Sequence, residues 1–556
     1  MALTKVTYSM IDGAYANVKD YGVEGDGITN DTVAIQQVLR DFAGVNPVFF
    51  PPGTYLVAGD AVLSGNVAKE GIQIPSDCSI IFADGAELQL ITTTSPQYNV
   101  LCVYNVSNVK IFGGKLIGDT DDHPPGVLGS NFNGIGLRIQ GATNVYVNGM
   151  SAEKMYADGF AIVYDDVNAP YPECVNVVLE NCTSTYNYRN GLSVIGCEDG
   201  AVLGGTYAYN GQATQAGIGT GIDIESNPVS MALPDPSYVK KYAVTNASIH
   251  NNRTTGLQVY GAGVFPNQGI IEDILLQDNR IWANASGVGL YQSVDVVIAN
   301  NAIDGGSASG ININSSKQVV VDGNVISDSG LHGIIGQATG AGFALENIEI
   351  VGNTVKDSAL YGITISSLSR GAVQNNIVVS SSQSIDNVFD NIQIDDTDYT
   401  TISGNTVFRG SGANQARYGI NVVSTSAGNM AYGNMVFEGG KTRNIINTGV
   451  SNKFFDNKVS QSFTVSTLFV NVYPYASSGG AANSISVTVY GTDGTNAFQD
   501  ELVFGSGSGD AVVVVSASTI KGTPDTRNYS TSVFANSLAM YMTTDTYTVI
   551  VEARER

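Results

Sequence analysis

Through the middle of the chain one pattern recurs, a glycine followed by a short run in which apolar and polar residues alternate. It reads NGIGLRIQ from position 133, NGLSVIG from 190, TGIDIES from 220, TGLQVYG from 255 and YGITISS from 361. Alternation with a period of two predicts β-strands that turn one apolar row inward. Successive glycines lie about 23 to 35 residues apart. A repeat of this length, built of strands and turns alone, predicts a solenoid.

About a dozen residues after most of the glycine-led strands comes a second strand that often ends in asparagine, as in QVVVDGNVISDS and NIEIVGNTVKDS. Asparagines at the same place in successive coils can form hydrogen-bonded ladders. The expected fold is therefore all-β, a right-handed parallel β-helix over residues 17–460. Residues 17–60 are expected to form its N-terminal cap, because the amphipathic segment 29–44 predicts a helix. Asn30 or Asp31 is expected to begin this helix and Gly44 to end it.

The two ends of the chain differ from the repeat. Residues 1–16 are expected to be a short N-terminal joint. Residues 461–556 alternate with another spacing, as in FTVSTLFVNVYPY and AVVVVSAS. This spacing predicts antiparallel strands of a β-sandwich-like module, which we expect to drive trimerisation.

Composition and charge narrow the possible functions. The 556 residues include 64 glycines, only 14% of them are charged, and the net charge is −24. Such an acidic surface repels nucleic acid and anionic membranes, and no apolar run is long enough to insert into a membrane. The five cysteines show no CxxC spacing and the three histidines no ligand spacing. We therefore expect buried thiols from a reducing cytosol, and no metal or cofactor.

The most informative chemistry lies in the strand GIDIE. Ile222 and Ile224 should face the core, and Asp223 and Glu225 the outside. Two residues of rise separate their Cβ atoms by about 6.6 Å. The distance between the carboxyls depends on the rotamers and is compatible with an inverting or a retaining glycosidase, of which we favour the inverting type. Neighbouring carboxylates also push one pKa upward, which provides an acid and a base.

Neighbouring coils should place further polar and aromatic side chains beside this pair, because equivalent positions stack about 4.8 Å apart. Arg189 could bind sugar hydroxyls, tune the carboxylates or form an ordinary ion pair. The longest insert, residues 227–244, directly follows the strand, and inserts on one face of a solenoid usually build a binding site. The candidate substrate-binding residues are Arg189, Asp158, Glu198, Asp199, Tyr188, Tyr260 and Trp282.

Three stretches carry a resemblance to a known family. NVKDYGVEGDGITNDTVAIQQVL followed by FFPPGTYLV resembles the opening of the pectate-lyase-like β-helix superfamily, as found in bacteriophage tailspikes. The block 187–226, with RNGLSV and GIDIE, is similar to one common in phage and bacterial β-helix depolymerases. The resemblance covers about residues 6–450. We expect the part that attaches to the particle either to be unusually small or to lie outside this sequence.

The resemblance implies a homotrimer that cleaves a bacterial surface polysaccharide, the O-antigen or a capsule, as an endo-glycosidase. It also implies a virion protein, made in the host cytoplasm, that joins the phage tail baseplate and acts at the bacterial cell surface. The site could lie within one subunit or between two. Two alternatives remain open, a polysaccharide lyase acting by β-elimination and a non-catalytic adhesin.

Overall fold

A computed structural model describes most of the chain. It covers residues 15–60, 71–95, 97–123, 133–165, 172–211, 219–226, 237–260, 271–339, 344–449 and 451–464, and the backbone of the strands that follow. The chain divides into two compact units, residues 1–302 and 303–556. In each unit the chain coils through three parallel sheets, named A, B and C here. Each turn of the coil runs through one strand of sheet C, then A, then B.

The strands of the first unit pair in register with those of the preceding and following coil. Sheet A contains Ala16–Asn17, Val48–Phe50, Ser79–Phe82, Ser107–Phe112, Thr143–Asn148, Cys174–Glu180, Cys197–Leu203, Val239–Thr245, Ile271–Gln277 and Val294–Ala299. Sheet B contains Asp26–Asn30, Gly53–Val57, Ala86–Leu90, Lys115–Ile117, Ser151–Glu153, Thr183–Thr185, Thr206–Ala208, Ser248–His250 and Arg280–Trp282. Sheet C contains Ile72–Gln73, Gln97–Tyr104, Asn133–Gln140, Phe160–Val163, Leu192–Val194, Ile222–Glu225, Thr255–Tyr260 and Ser286–Tyr291.

The second unit repeats the same three-sheet coil. Sheet A contains Lys317–Asp322, Leu345–Val351, Leu368–Gln374, Asp398–Ser403, Met430–Tyr432 and Lys453–Phe455. Sheet B contains Ala302–Gly306, Val325–Ser329, Thr354–Lys356, Ile377–Val379, Thr406–Phe408, Met435–Phe437 and Lys458–Thr464. Sheet C contains Ile311–Asn314, Ile334–Gln337, Ile363–Ser366, Ile392–Asp395, Tyr418–Val422 and Arg443–Asn447. The predicted parallel β-helix is confirmed.

The core consists of apolar side chains stacked from coil to coil. In sheet C of the first unit, Leu192 lies opposite Ile222, which lies opposite Leu257. All three are 0% exposed. Burying one such side chain stabilises the fold by about 1.5–3 kcal/mol. This inward row fixes the register, because a slip of one residue would turn the apolar row to the outside.

Buried asparagines form the predicted ladders. In every step the side-chain Nδ2 donates to Oδ1 of the next asparagine, at 2.8–3.0 Å. One ladder in the first unit contains Asn187, Asn210, Asn252 and Asn284, and one in the second contains Asn324, Asn353, Asn376, Asn405, Asn434 and Asn457. The ladders satisfy polar groups that the turns would otherwise leave buried and unpaired.

The predicted N-terminal helix forms over Thr32–Phe42, after a short 3-10 helix at Val18–Tyr21. Its N-cap is Asp31, one of the two predicted residues, and Oδ1 of the preceding Asn30 accepts a hydrogen bond from the Thr32 backbone N–H at 3.1 Å. Gln36 exchanges two hydrogen bonds of 2.8 Å with the backbone of Gln73, which ties the helix to the first strand of sheet C. The helix therefore covers the N-terminal end of the core. Among the described residues, none of the helices has the length and apolar character that crossing a bilayer requires.

At the C-terminal end of the second unit the strands become antiparallel. Lys458–Thr464 pairs antiparallel with Thr546–Glu555, which pairs with Ser484–Thr492, followed by Ala497–Gly505 and Val512–Lys521. Another antiparallel sheet contains Val470–Pro474, Ser537–Tyr541 and Asn528–Thr531. The role of these strands in trimerisation stays a prediction. Residues 1–14 of the expected N-terminal joint lie outside the described residues.

The cysteines behave as the composition predicts. All five are buried and carry free thiols. Burial raises the pKa of Cys78, Cys174 and Cys182 to about 12. Thiols held protonated in this way are inert.

Candidate functional site

The candidate site lies on the outer face of sheet C in the first unit. Four neighbouring strands build it: Phe160–Val163, Leu192–Val194, Ile222–Glu225 and Thr255–Tyr260. Their outward positions stand side by side, so that residue 193 lies opposite 223, 223 opposite 258, and 225 opposite 260. The inward positions of the same strands are the core residues described above.

Asp223 and Glu225 face away from the core, on the opposite side of their strand from Ile222 and Ile224, as predicted. Asp223 is 7% exposed and Glu225 is half-buried. Asn190 and Gln258, one from each neighbouring coil, donate long hydrogen bonds of 3.3 Å to the Asp223 carboxylate. Within the described residues no side chain donates to Glu225. The pair therefore combines an inner carboxyl held by amides with a half-buried outer carboxyl.

Burial is the main influence on the protonation of this pair. It raises the pKa of Asp223 well above its usual range, and the negative charge of Glu225 adds to the rise. Burial also raises the pKa of Glu225, while the Arg189 guanidinium opposes the increase. A carboxyl that keeps its proton near neutral pH can act as an acid, and an ionised neighbour can act as a base.

Arg189 forms a bidentate ion pair with Asp158 of the preceding coil. Its Nε donates to Asp158 Oδ1 at 2.7 Å, and its second nitrogen donates to Oδ2. The Asn190 backbone N–H, at 3.0 Å, and the Ser193 hydroxyl, at 2.9 Å, also donate to this carboxylate. The Asp158 side chain is 0% exposed. A fully buried carboxylate with four donors holds Arg189 in place and is not available to a ligand.

Arg189 supplies the positive charge of the site. Burial works against this charge, but the three surrounding carboxylates outweigh it and raise the pKa of Arg189 above its usual value. The side chain is 25% exposed. Of the roles open to Arg189 in the sequence, the ion pair and the tuning of the carboxylates are therefore both present in the structure.

Two of the predicted aromatic residues lie close to this cluster. Tyr260 stands opposite Glu225 in the next coil, is 40% exposed, and lies 5.6 Å from the ring of Tyr291. Tyr188, directly before Arg189, stacks on Tyr156 at 5.3 Å. Exposed tyrosine rings offer an apolar surface with a polar edge.

Three predicted residues lie elsewhere. Glu198 and Asp199 belong to sheet A, where Lys241 pairs with both at 3.0 and 3.7 Å. The chain turns from sheet C to sheet A between residues 194 and 197, so that this strand leaves the site. Trp282 ends a strand of sheet B, stacks on His250 at 4.1 Å and lies under the Arg280 guanidinium at 4.8 Å. The structure does not bring these three side chains to the carboxylate pair.

Sequence reasoning missed the polar residues that hold the cluster together. Asn190 lies just before its strand, whereas Ser193 and Gln258 occupy outward positions of RNGLSV and TGLQVY, in the same phase as Asp223. That phase was the signal that could have identified Ser193 and Gln258. Residues 227–236 of the predicted insert lie outside the described residues, and the strand Val239–Thr245 takes up its remainder. Among the described side chains, no group of three or more His, Cys, Asp or Glu could hold a metal ion.

The fold and this face together describe a parallel β-helix with a carboxylate-lined outer surface. Two family models match the chain, "Rhamnogalacturonase A/epimerase, pectate lyase-like" over residues 15–74 and "Right handed beta helix region" over residues 237–436. The coil is therefore right-handed, as predicted.

Known proteins with similar sequences or folds include phage appendages. The tailspike protein of E. coli bacteriophage HK620, solved as a variant in complex with pentasaccharide, has a TM-score of 0.57 and 11% identity, covering 97% of this chain and 93% of that one. The uncharacterized protein YclG of Bacillus subtilis is 27% identical over 325 residues, 52% of this chain and 55% of YclG. The pre-neck appendage protein of Bacillus phage phi29 is 28% identical over 196 residues, 32% of this chain and 21% of that protein.

The chain thus spans just over half of YclG and about a fifth of the phage appendage protein. The predicted resemblance to bacteriophage tailspikes holds at the level of the fold.

Proposed function

We propose that this chain is an endo-glycosidase that cleaves a bacterial surface polysaccharide such as the O-antigen. One observation carries the proposal: Asp223 and Glu225 share an outward face, both have raised pKa values, and a fixed guanidinium stands beside them. Burying two neighbouring carboxylates does not stabilise the fold, because burial of charge is costly, and catalysis explains why the pair is there. The tailspike of HK620, which binds a pentasaccharide on the same fold, supports the substrate class.

The environment of each carboxyl assigns its role. Asp223, the more buried of the two, keeps its proton and donates it to the glycosidic oxygen as the bond from that oxygen to the anomeric carbon breaks. Glu225, which is more open and nearer to water, is the carboxylate that takes a proton from the attacking water. The reaction inverts the anomeric centre when that water fits between sugar and Glu225. Two residues of strand rise set the Cβ atoms about 6.6 Å apart, a spacing from which the rotamers can reach the carboxyl distance of either type, and we propose the inverting one.

The biological setting belongs to the same proposal. Similarity to a tailspike and to a pre-neck appendage protein supports a role on a phage tail, where the chain would act at the bacterial cell surface after synthesis in the host cytoplasm. Assembly into a homotrimer and attachment to the tail baseplate are further parts of this proposal.

The test is the release of new reducing ends from purified O-antigen and capsular polysaccharides. The proposal expects oligosaccharides with saturated, hydrolysed ends and loss of their release in Glu225→Gln. An unsaturated product that absorbs in the ultraviolet would instead identify a lyase. Binding of a polysaccharide without any cleavage would identify an adhesin.

A further inference from the structure

The polar arrangement around Asp158 recurs in the second unit around Asp390. Asp390 is 0% exposed and accepts hydrogen bonds from Arg417 Nε at 3.0 Å and from its second nitrogen at 2.9 Å. The Tyr418 backbone N–H, at 3.2 Å, and Asn421 Nδ2, at 2.8 Å, donate as well. In both units the carboxylate accepts from the backbone N–H of the residue after the arginine and from the side chain of the residue four positions after it. The second unit thus has its own arginine fixed on the edge of sheet C.

On the outer face beside Arg417, polar side chains stand in register on three coils. Thr364 lies opposite Gln393, which lies opposite Asn421. The Thr364 hydroxyl donates to Gln393 Oε1 at 3.2 Å. We name this row the 364–421 face. Its side chains repeat about every 4.8 Å. Thr364 and Asn421 are 7% and 5% exposed, and the half-buried Gln393 between them is the residue of the row most open to a ligand.

Two long turns, residues 380–391 and 409–417, rise beside this face. Hydrogen bonds tie them to one another: the Gln415 backbone N–H donates to Asp386 Oδ1 at 3.1 Å, and the Asn387 N–H donates to the Gln415 carbonyl at 2.8 Å. Ile385 and Val388, on the first turn, are 53% and 39% exposed. Inserted turns on one side of a solenoid commonly border a binding surface. Here the exposed Ile385 and Val388 add an apolar border, called the apolar rim, to the polar 364–421 face.

The carboxylate pair has no counterpart after this arginine. The coil that follows Arg417 places Ile446 opposite Asn421, where the first unit places Asp223 opposite Ser193. Arg417 is 34% exposed, and within the described residues its remaining terminal nitrogen, Nη1, has no acceptor. The face can therefore donate to a ligand but holds no acid and base at the place where the first unit has them.

We propose that the 364–421 face is a second saccharide-binding site, which holds an uncharged, hydroxyl-rich segment of the polysaccharide without cutting it. The inference rests on the proposed function for the substrate class. Asp395, on the same strand as Gln393, stands on this face and disfavours an anionic segment. The apolar rim can pack against the C–H faces of sugar rings, and the polar row can form hydrogen bonds with their hydroxyls.

Isothermal titration of the Glu225→Gln protein with a panel of purified O-antigen oligosaccharides tests the proposal. We expect two binding events per chain. Gln393→Ala, added to Glu225→Gln, should weaken one of them about tenfold or more, because it removes the middle of the polar row. Adding Asn421→Ala should abolish it. Gln374→Ala is the matched control, since Gln374 makes a similar contact to Ser403, at 3.0 Å, on sheet A.

One binding event per chain that Gln393→Ala leaves unchanged would overturn the proposal, as would equal effects of Gln393→Ala and the control. Because Asn421 also supports Asp390, the single variant Gln393→Ala decides the question if the double variant unfolds. Failure of the proposed function gives a different result. Wild-type protein would then release no reducing ends, while the two binding events would remain.

Discussion

The carboxylate pair predicts an unusual response of stability to pH. Burial, then the charge of Glu225, raises the pKa of Asp223 above its ordinary 3.8. The folded chain therefore holds this proton to a higher pH than the unfolded chain does. A carboxyl with a raised folded pKa contributes its full stability below the unfolded pKa, and that contribution is lost as the pH rises through the folded value. At neutral pH the unfolded chain gains more from ionising Asp223 than the folded chain does, so this carboxyl should lower the stability of the native protein.

The substitution Asp223→Asn removes this charge with little change in shape. Each unit of pKa difference corresponds to about 1.4 kcal/mol. The hydrogen bonds that the variant puts at risk, from Asn190 and Gln258, are long at 3.3 Å, so their loss is small. Because Arg189 already compensates part of the charge, we expect the variant to be more stable by about 1–3 kcal/mol near neutral pH. Below about pH 4, where both states are protonated, the difference should vanish.

Scanning calorimetry of wild type and variant over a series of pH values measures this directly. Asp199→Asn is the control, because its side chain is 54% exposed and should change stability little at any pH. The reasoning would be refuted if Asp223→Asn were less stable than wild type by the same amount at every pH. That result would mean that the Asp223 carboxylate is an ordinary stabilising group of the fold.

Three further predictions concern the neighbouring structure. In chemical denaturation, Arg189→Ala and Arg417→Ala should each lower the free energy of unfolding by about 3–5 kcal/mol, because each leaves a buried carboxylate unpaired. In pH–rate profiles, only Arg189→Ala should shift the pH optimum of cleavage, to higher pH. Asn376→Ala should destabilise the second unit by about 2–4 kcal/mol in denaturant unfolding, since it breaks a buried ladder at four hydrogen bonds. Gly205→Ala should lower expression and thermal midpoint strongly, because φ is +90° and the new Cβ would meet a backbone oxygen at 2.1 Å.

The sequence was sufficient for the coil and for the direction of its side chains. Alternation with a period of two separates Ile222 and Ile224 from Asp223 and Glu225, and this outcome depends only on strand geometry. The asparagine ladders were also predictable, because ladder residues occupy one place in each repeat. These features are local or periodic, and in a repetitive chain each repeat adopts the same local structure as its neighbours.

Contacts between coils were harder to predict, because they depend on the length of every intervening turn. Asp158 and Arg189 are 31 residues apart, and no local pattern pairs them. Glu198 was expected beside the carboxylates, but a short turn after residue 194 moves it to sheet A. Trp282 likewise lies on sheet B, one strand before the outward row of sheet C. Assigning a residue to the correct sheet requires the turn boundaries, which composition alone does not mark.

The central claim is that the Asp223 and Glu225 carboxyls perform hydrolysis. The most direct test measures initial rates of reducing-end release from a cleavable O-antigen polysaccharide by wild type, Asp223→Asn, Glu225→Gln and the control Asp199→Asn, whose side chain lies on sheet A, with folding checked by circular dichroism. The account predicts folded proteins throughout, a loss of about 10²-fold or more in each of the first two variants, and a wild-type rate in the control. Wild-type rates in Asp223→Asn and Glu225→Gln would contradict it.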